Sequence, residues 1–173
     1  MKKTLHLVSC LFVSIFATAQ NPTFNWAKSI TGVSVKEIYA VTTDASGNVY
    51  TTGAFGGTAN IGPNDGDLAQ VIIDANPNAN TARNVFITKM TASGSLVWTK
   101  TFGGTFDDLG KAIKVDADGN VFVAGEFKGQ VDFNPDAAQY FLNSGSVFSG
   151  SGINSFIVKF GPTGNFQIGR AHV

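Results

Sequence analysis

Two stretches of the chain carry a β-rich run into a polar turn and out again. Ala40-Val41-Thr42-Thr43 passes through Asp44-Ala45-Ser46-Gly47-Asn48 into Val49-Tyr50-Thr51-Thr52-Gly53-Ala54-Phe55. Ala112-Ile113-Lys114-Val115 passes through Asp116-Ala117-Asp118-Gly119-Asn120 into Val121-Phe122-Val123-Ala124-Gly125-Glu126-Phe127. β-branched and aromatic runs around such a cluster predict a hairpin. The turn chemistry agrees, because an aspartate side chain accepts from nearby backbone N–H groups and glycine or asparagine tolerates positive φ. Further strands are expected at Gln70 to Asp74 and Gln139 to Asn143, then at Val85 to Met90 and Phe156 to Phe160, so each half of the chain holds about four. Outside the N-terminal stretch no window sustains apolar residues at spacings of three and four, and helix is not expected.

The two halves are copies. Trp98 lies 72 positions after Trp26, and at the same offset Asp116 matches Asp44, Gly119-Asn120-Val121 match Gly47-Asn48-Val49, Gly125 matches Gly53 and Phe127 matches Phe55. After a slip of two, Phe156-Ile157, Lys159 and Gly164 match Phe86-Ile87, Lys89 and Gly94 at an offset of 70. A period of this length marks a repeat architecture. Within it, Val121, Val123 and Phe127 alternate with Phe122 and Ala124, so the strand is apolar on both sides. Such a sheet needs cover on both faces. Four-stranded sheets stacked radially, each between two neighbours, supply it. The expected fold is therefore all-β, with two consecutive four-stranded antiparallel blades of an incomplete β-propeller, one over residues 20–97 and one over 98–167. Blades isolated from their neighbours would expose strand edges and apolar faces, so such a segment is expected to be marginally folded or to self-associate.

The ends read differently. Lys2 and Lys3, an apolar run from Leu5 to Phe16 and Ala17-Thr18-Ala19 before Gln20 form a secretory signal peptide over residues 1–19. Leu7-Val8-Ser9-Cys10 has the form of a lipobox, but cutting there would leave almost no apolar stretch after the lysines. At the other end, Gly164 calls for an aromatic residue four positions on, as Trp98 follows Gly94. The chain instead reads Ile168-Gly169-Arg170-Ala171-His172-Val173, which one frame of a common sequencing adapter encodes, so residues 168–173 are read as a non-native tail. These readings place the protein outside the cell, secreted or at its surface, with no membrane association after cleavage.

Setting the ends aside sharpens the chemistry. Residues 20–167 hold nine basic and twelve acidic residues, a net charge of −3, which is no footprint for nucleic acid. Cys10, His6 and His172 all fall in the removed or suspect ends, so the working chain has neither thiol nor imidazole. Ser-His and Cys-His pairs, histidine bases and imidazole or thiolate zinc sites are excluded. Paired carboxylates held roughly 5 to 9 Å apart can hydrolyse glycosides, but nothing in the spacing selects such a pair.

The pattern Asp-x-x-Gly-Asn-Val-(Tyr/Phe)-x-x-Gly-x-Phe, then Phe-Ile-x-Lys, then a glycine turn and Val-Trp-x-Lys, resembles the bacterial β-propeller repeat usually called SBBP, held to build seven-bladed propellers in secreted proteins. Asp44 to Phe55 and Asp116 to Phe127 carry its first part, Phe86 to Lys89 and Phe156 to Lys159 its second, and Gly94 with Val97 to Lys100 its third. Val131 to Asp136 is also typical of it. The resemblance implies an extracellular scaffold and brings no catalytic residue. The first unit departs from it, with Asn60-Ile61-Gly62-Pro63-Asn64 in place of the acidic loop and a longer connection from Ala75 to Asn84. Thr91 to Trp98 is similar to the tryptophan motif of quinoprotein-type propellers, but Thr91 stands where that motif has aspartate and those repeats are shorter; it supports a propeller and no quinone cofactor.

Among local candidates, Asp132, Asn134 and Asp136 alternate like ligands of a calcium loop, and Asp116 and Asp118 precede a glycine in a weaker version of the pattern. Hard oxygen donors suit that cation. A third ligand after Asp116 and Asp118 and a distal bidentate glutamate are missing, and the competing reading is a solvated loop for Asp132 to Asp136 and a hairpin turn for Asp116 to Asn120. Calcium is the one cofactor that these residues suggest. Trp26 and Trp98 could stack on sugars, but recurrence at one repeat position fits packing between blades better. Lys89 and Lys159 are expected to pair with Asp44 or Asp116. Asp107-Asp108 reads as a loop, and Arg83 stands alone. The leading functional reading is a non-enzymatic extracellular scaffold, adhesion or binding module whose partners are a protein or glycan at the cell surface and neighbouring blades of a longer chain. The alternative is the propeller portion of a secreted carbohydrate-active enzyme with its catalytic residues elsewhere.

Overall fold

The computed structural model describes residues 25–61, 70–73, 82–136, 138–145 and 152–172, with 70–73 and 168–172 described as backbone. The expected signal peptide over residues 1–19, Gly62-Pro63-Asn64 and most of the connection from Ala75 to Asn84 lie outside these residues. Among them the chain is all-β, and no helix is long and apolar enough to cross a membrane.

Two four-stranded antiparallel sheets dominate. In the first, β2 (Lys36–Thr43), β3 (Val49–Phe55), β6 (Asn84–Met90) and β7 (Leu96–Phe102) lie side by side in chain order. In the second, β8 (Leu109–Val115), β9 (Val121–Lys128), β12 (Ile153–Phe160) and β13 (Phe166–His172) repeat that arrangement. Each sheet is interrupted between its second and third strands by an excursion into a smaller one. The first excursion joins β4 (Thr58–Ile61) to β1 (Ile30–Gly32) and β5 (Gln70–Ile73); the second pairs β10 (Gln130–Asp132) with β11 (Phe141–Asn143). Antiparallel sheets of two to four strands without helix are compatible with propeller blades.

The predicted hairpins are β2–β3 and β8–β9, and their turns share one geometry. Gly47 donates to Asp44 O and Asp44 donates to Asn48 O, and Gly119, Asp116 and Asn120 repeat both bonds. Gly47 and Gly119 have φ of 79° and 81°, the left-handed conformation that closes a type I turn against the twist of its strands. The other repeated glycine serves a different purpose. β2 carries an extra residue, Tyr39, between Ile38 and Ala40, and β8 carries Lys111 at the matching place. Beneath each bulge a Cβ on Gly53 would stand 1.8 Å from Glu37 O, and one on Gly125 1.9 Å from Leu109 O. The bulges also meet, with the Lys111 ammonium 5.0 Å from the centre of the Tyr39 ring.

Strand membership differs from the prediction. Gln70 to Asp74 and Gln139 to Asn143 contribute β5 and β11, but these belong to the small sheets, and the outer strands of the large ones are β7 and β13. A period sets the length of a unit without setting its phase, and here the sheet ends after Phe102, with β7 spanning the 97/98 division. Residues 168–172 continue β13 as backbone paired to β12.

The core lies between the two large sheets. Tyr50, Val85, Ile87 and Phe102 of the first meet Ile113, Val121, Val123, Phe156, Val158 and Phe160 of the second. Phe102 packs against Phe133 at 5.1 Å, Phe156 at 5.4 Å and Phe160 at 6.4 Å between centroids. Close approach demands Gly110, where a Cβ would fall 2.2 Å from the Thr52 hydroxyl.

Gly125→Ala is expected to lower unfolding stability by roughly 3 kcal/mol, because the new methyl meets the bulge carbonyl and the Phe156 ring. Urea denaturation of both chains measures it; an unchanged midpoint would contradict the bulge geometry.

Candidate functional site

The turn carboxylates are internally occupied. Asp44 Oδ1 accepts from Ser46 N and Asn48 N, each at 2.9 Å, and Oδ2 from Asn48 Nδ2 at 2.8 Å and the Tyr50 hydroxyl at 3.0 Å. Asp116 accepts from Asp118 N, Asn120 N and Asn120 Nδ2 in the same way. These bonds hold both carboxyls below their ordinary value of 3.8, the asparagine side chain having the largest effect. Phe122 replaces Tyr50 in the second unit, so its turn has no hydroxyl donor. Burial, and then the Asp44 carboxylate, push Tyr50 up to about 12.

The loop from Asp132 to Asp136 is also self-bonded. Asp132 Oδ1 accepts from Asn134 N at 3.1 Å and Tyr140 N at 2.9 Å, and Asn134 Oδ1 accepts from Asp136 N at 3.0 Å. Asp136 turns to Lys100, whose ammonium donates to Oδ1 at 2.8 Å and lowers its pKa, while Phe166 N donates to Oδ2 at 3.2 Å. A cation therefore already sits on one of the three proposed ligands. Among the described residues no three acidic, histidine or cysteine side chains converge as a metal cage. Asp118 contributes only its backbone N–H to the bonds of its turn.

Both tryptophans dock their segment of chain onto a turn. Trp98, on β7, donates its indole N–H to Pro162 O in the β12–β13 turn at 3.2 Å and meets Tyr50 edge to face at 6.3 Å. Its ring covers Gly164, where a Cβ would lie 3.0 Å away. Trp26 donates to Ala92 O in the β6–β7 turn at 2.9 Å and covers Gly94 likewise. Lys89 and Lys159 lie over rings, 5.3 Å from the centroid of Tyr50 and 5.5 Å from that of Phe122. Neither forms the expected close ion pair with Asp44 or Asp116, because extending across the ring of its partner residue on the neighbouring strand of the same sheet keeps the ammonium partly solvated while its stem is covered. Lys159 nonetheless contributes an electrostatic pull on Asp116.

Residues without a repeat counterpart make the strongest polar cluster. Arg83 binds Glu37 Oε2 through Nη1 and Asp107 Oδ2 through Nη2, each at 2.9 Å, and its backbone N–H donates to Asp107 Oδ1. The Tyr39 hydroxyl donates to Glu37. Asp107 and Glu37 are both held below their ordinary values, Asp107 chiefly by Arg83 and Glu37 first by Tyr39 and then by Arg83. Asp108 beside it is 0% exposed and accepts from Gly104 N at 2.7 Å and Lys128 N at 3.0 Å. Arg83 thus stands at a hub joining the first sheet to the crossover into the second, and Asp107-Asp108 pins that crossover. The sequence signal for both was their lack of a match in the other unit.

An apolar groove of about 290 Å³ opens on the far face of the first sheet, lined by Trp26, Ile30, Ile38, Val41, Val49 and Met90 among others. Among the described residues it has no titratable cluster, and Lys28 is the one charged residue on its wall.

No family model matches the chain. It is similar to an uncharacterized WD repeat-containing protein of Acanthamoeba polyphaga mimivirus, 27% identical over 153 residues that make up 82% of this chain and 11% of that protein. The chain thus spans about a tenth of the length of that curated relative. The likeness suggests a β-propeller-type repeat, a module for binding or scaffolding.

Two outcomes follow. The lowered aspartates supply stability that is present above their ordinary value of 3.8 and is lost as pH falls through their lower folded values. Raised Tyr50 supplies stability present below its ordinary value of 10.0 and lost as pH rises to about 12. Melts across pH should show both limbs, with the alkaline loss reduced in Tyr50→Phe and the acid loss retained. Separately, Asp108→Asn leaves an amide N–H₂ against a backbone donor in a buried site and should cost about 2–3 kcal/mol by urea titration.

Proposed function

We propose that this chain is a stretch of a secreted, non-enzymatic β-propeller-type scaffold that presents its turns and loops to a protein or glycan at the cell surface. The observation that carries this reading is the use of the polar residues. Asp44, Asp107, Asp108, Asp116 and Asp136 are each bound into a turn, crossover or ion pair, and each repeated tryptophan secures one structural element to another. Side chains committed in this way preserve the scaffold and leave recognition to the loops. The likeness to a WD repeat-containing protein supports a binding or scaffold module. The sequence of residues 1–19 is the support for export.

Expression in a bacterial host should deliver the chain outside the cytoplasm with Gln20 as its first residue, read by N-terminal sequencing. Cytoplasmic chain that keeps Met1 would overturn export. On a glycan array the protein should bind without turnover. Sugar release that disappears when one carboxylate is changed would overturn the non-enzymatic reading.

A further inference from the structure

Asp118 is left over when the turns are accounted for. It stands third in the β8–β9 turn, where the β2–β3 turn has Ser46, and both residues give only a backbone N–H to the opening aspartate, at 3.0 Å to Asp116 Oδ1 and 2.9 Å to Asp44 Oδ1. The turn needs nothing from the side chain at this position. Among the described residues the Asp118 carboxylate accepts no hydrogen bond, and Asp118 is exposed. The residue after it is Gly119, whose peptide nitrogen no side chain shields.

A free carboxyl group beside an unshielded peptide nitrogen can close a ring. Gly119 N attacks Asp118 Cγ; the N–Cγ bond forms, the Cγ–O bond breaks, and the amide proton leaves with the carboxyl OH as water. Water then opens the cyclic imide. Attack at the former backbone carbonyl of Asp118 leaves the chain running through Cγ as an isoaspartate, with a free carboxylate where the old peptide bond began. No oxidant, metal or second protein enters the balance. The folded turn withholds the nitrogen, because Gly119 N–H is held on Asp116 O at 3.1 Å. Asp116 N on Asn120 O at 3.0 Å, and Asn120 N and Nδ2 on the Asp116 carboxylate at 2.8 Å, keep that turn shut. Bringing Gly119 N onto Cγ breaks the first of these bonds, so ring closure requires the turn to open.

We infer that Asp118-Gly119 is an isoaspartate site gated by its own turn, so that openings of the β8–β9 hairpin accumulate as a covalent change that keeps the hairpin loose. The modified backbone holds one additional methylene between Asp118 and Gly119, and the spacing that sets both backbone bonds of the turn is lost. Room for the longer link is limited on one side by Pro162, whose ring carbons would lie 3.4 Å from a Cβ on Gly119. The first unit has no such site in its turn, because Ser46 carries no carboxyl group. Two sheets that begin as equivalents therefore become unequal with age.

Prolonged incubation of the full chain in neutral buffer tests this, with peptide mapping by mass spectrometry and labelling by an isoaspartyl methyltransferase as the readouts. A species lighter by one water, and then isoaspartate, should appear at Asp118. Asp-Gly also occurs at Asp65-Gly66, outside the described residues, and the mapping separates the two. Formation at Asp118 should be at least about ten-fold slower in buffer than in the same chain held unfolded in urea, because opening the turn costs its backbone bonds. As isoaspartate accumulates at Asp118 the unfolding midpoint of the chain should fall, whereas Asp118→Ser, which copies the first unit, should keep its midpoint through the same incubation. Equal rates with and without urea, no isoaspartate at Asp118 under either condition, or a chain carrying it that melts as fresh material does would each overturn the proposal.

Discussion

Each large sheet is apolar on two sides, and the structure follows from the need to cover both. Between the sheets this is met by Phe102 among Phe133, Phe156 and Phe160, with Val85 and Ile87 facing Val123 and Val158. Burial on this scale stabilises by about 1.5–3 kcal/mol per large side chain, far more than any exposed ion pair supplies. The small sheets add to it, since Val131 and Phe133 of the second excursion are buried in the same cluster. The first excursion puts Ala59 and Ile61 in the equivalent place beneath the groove.

Polar groups decide how the covered faces are held in register. The bulges at Tyr39 and Lys111 turn a carbonyl inward over Gly53 and Gly125, and the sheets can then approach until Gly110 lies against Thr52. At the rim, Arg83 gathers Glu37 and Asp107, while buried Asp108 fastens Gly104 and Lys128 on either side of the crossover. Each of these fixes backbone position where non-directional apolar contact would allow sliding.

Much of this was legible in the residues, for a reason that also limits it. Repetition exposed every feature that both units need: the aspartate and glycine of the hairpin turn, the glycine under the bulge, and the tryptophan over the following turn. It could not show where a sheet begins, so β5 and β11 were counted with the large sheets and β7 was divided. It was also blind to features that occur once. Arg83 and Asp107-Asp108 have no counterparts because they serve a single crossover, and the alternation of Asp132, Asn134 and Asp136 resembles ligand spacing although its groups bond to the loop and to Lys100.

The tryptophan contacts bear on how such a chain could have grown by duplication. Trp26 and the turn it covers lie within residues 24–95, and Trp98 and its turn within 96–165, so a copied segment with those limits carries both halves of a lock. A segment cut at the borders of a sheet would separate them, leaving an indole without its carbonyl and a glycine turn without its lid. A segment with those limits is offset by one strand from the folded sheet, and two joined end to end tie one sheet to the next.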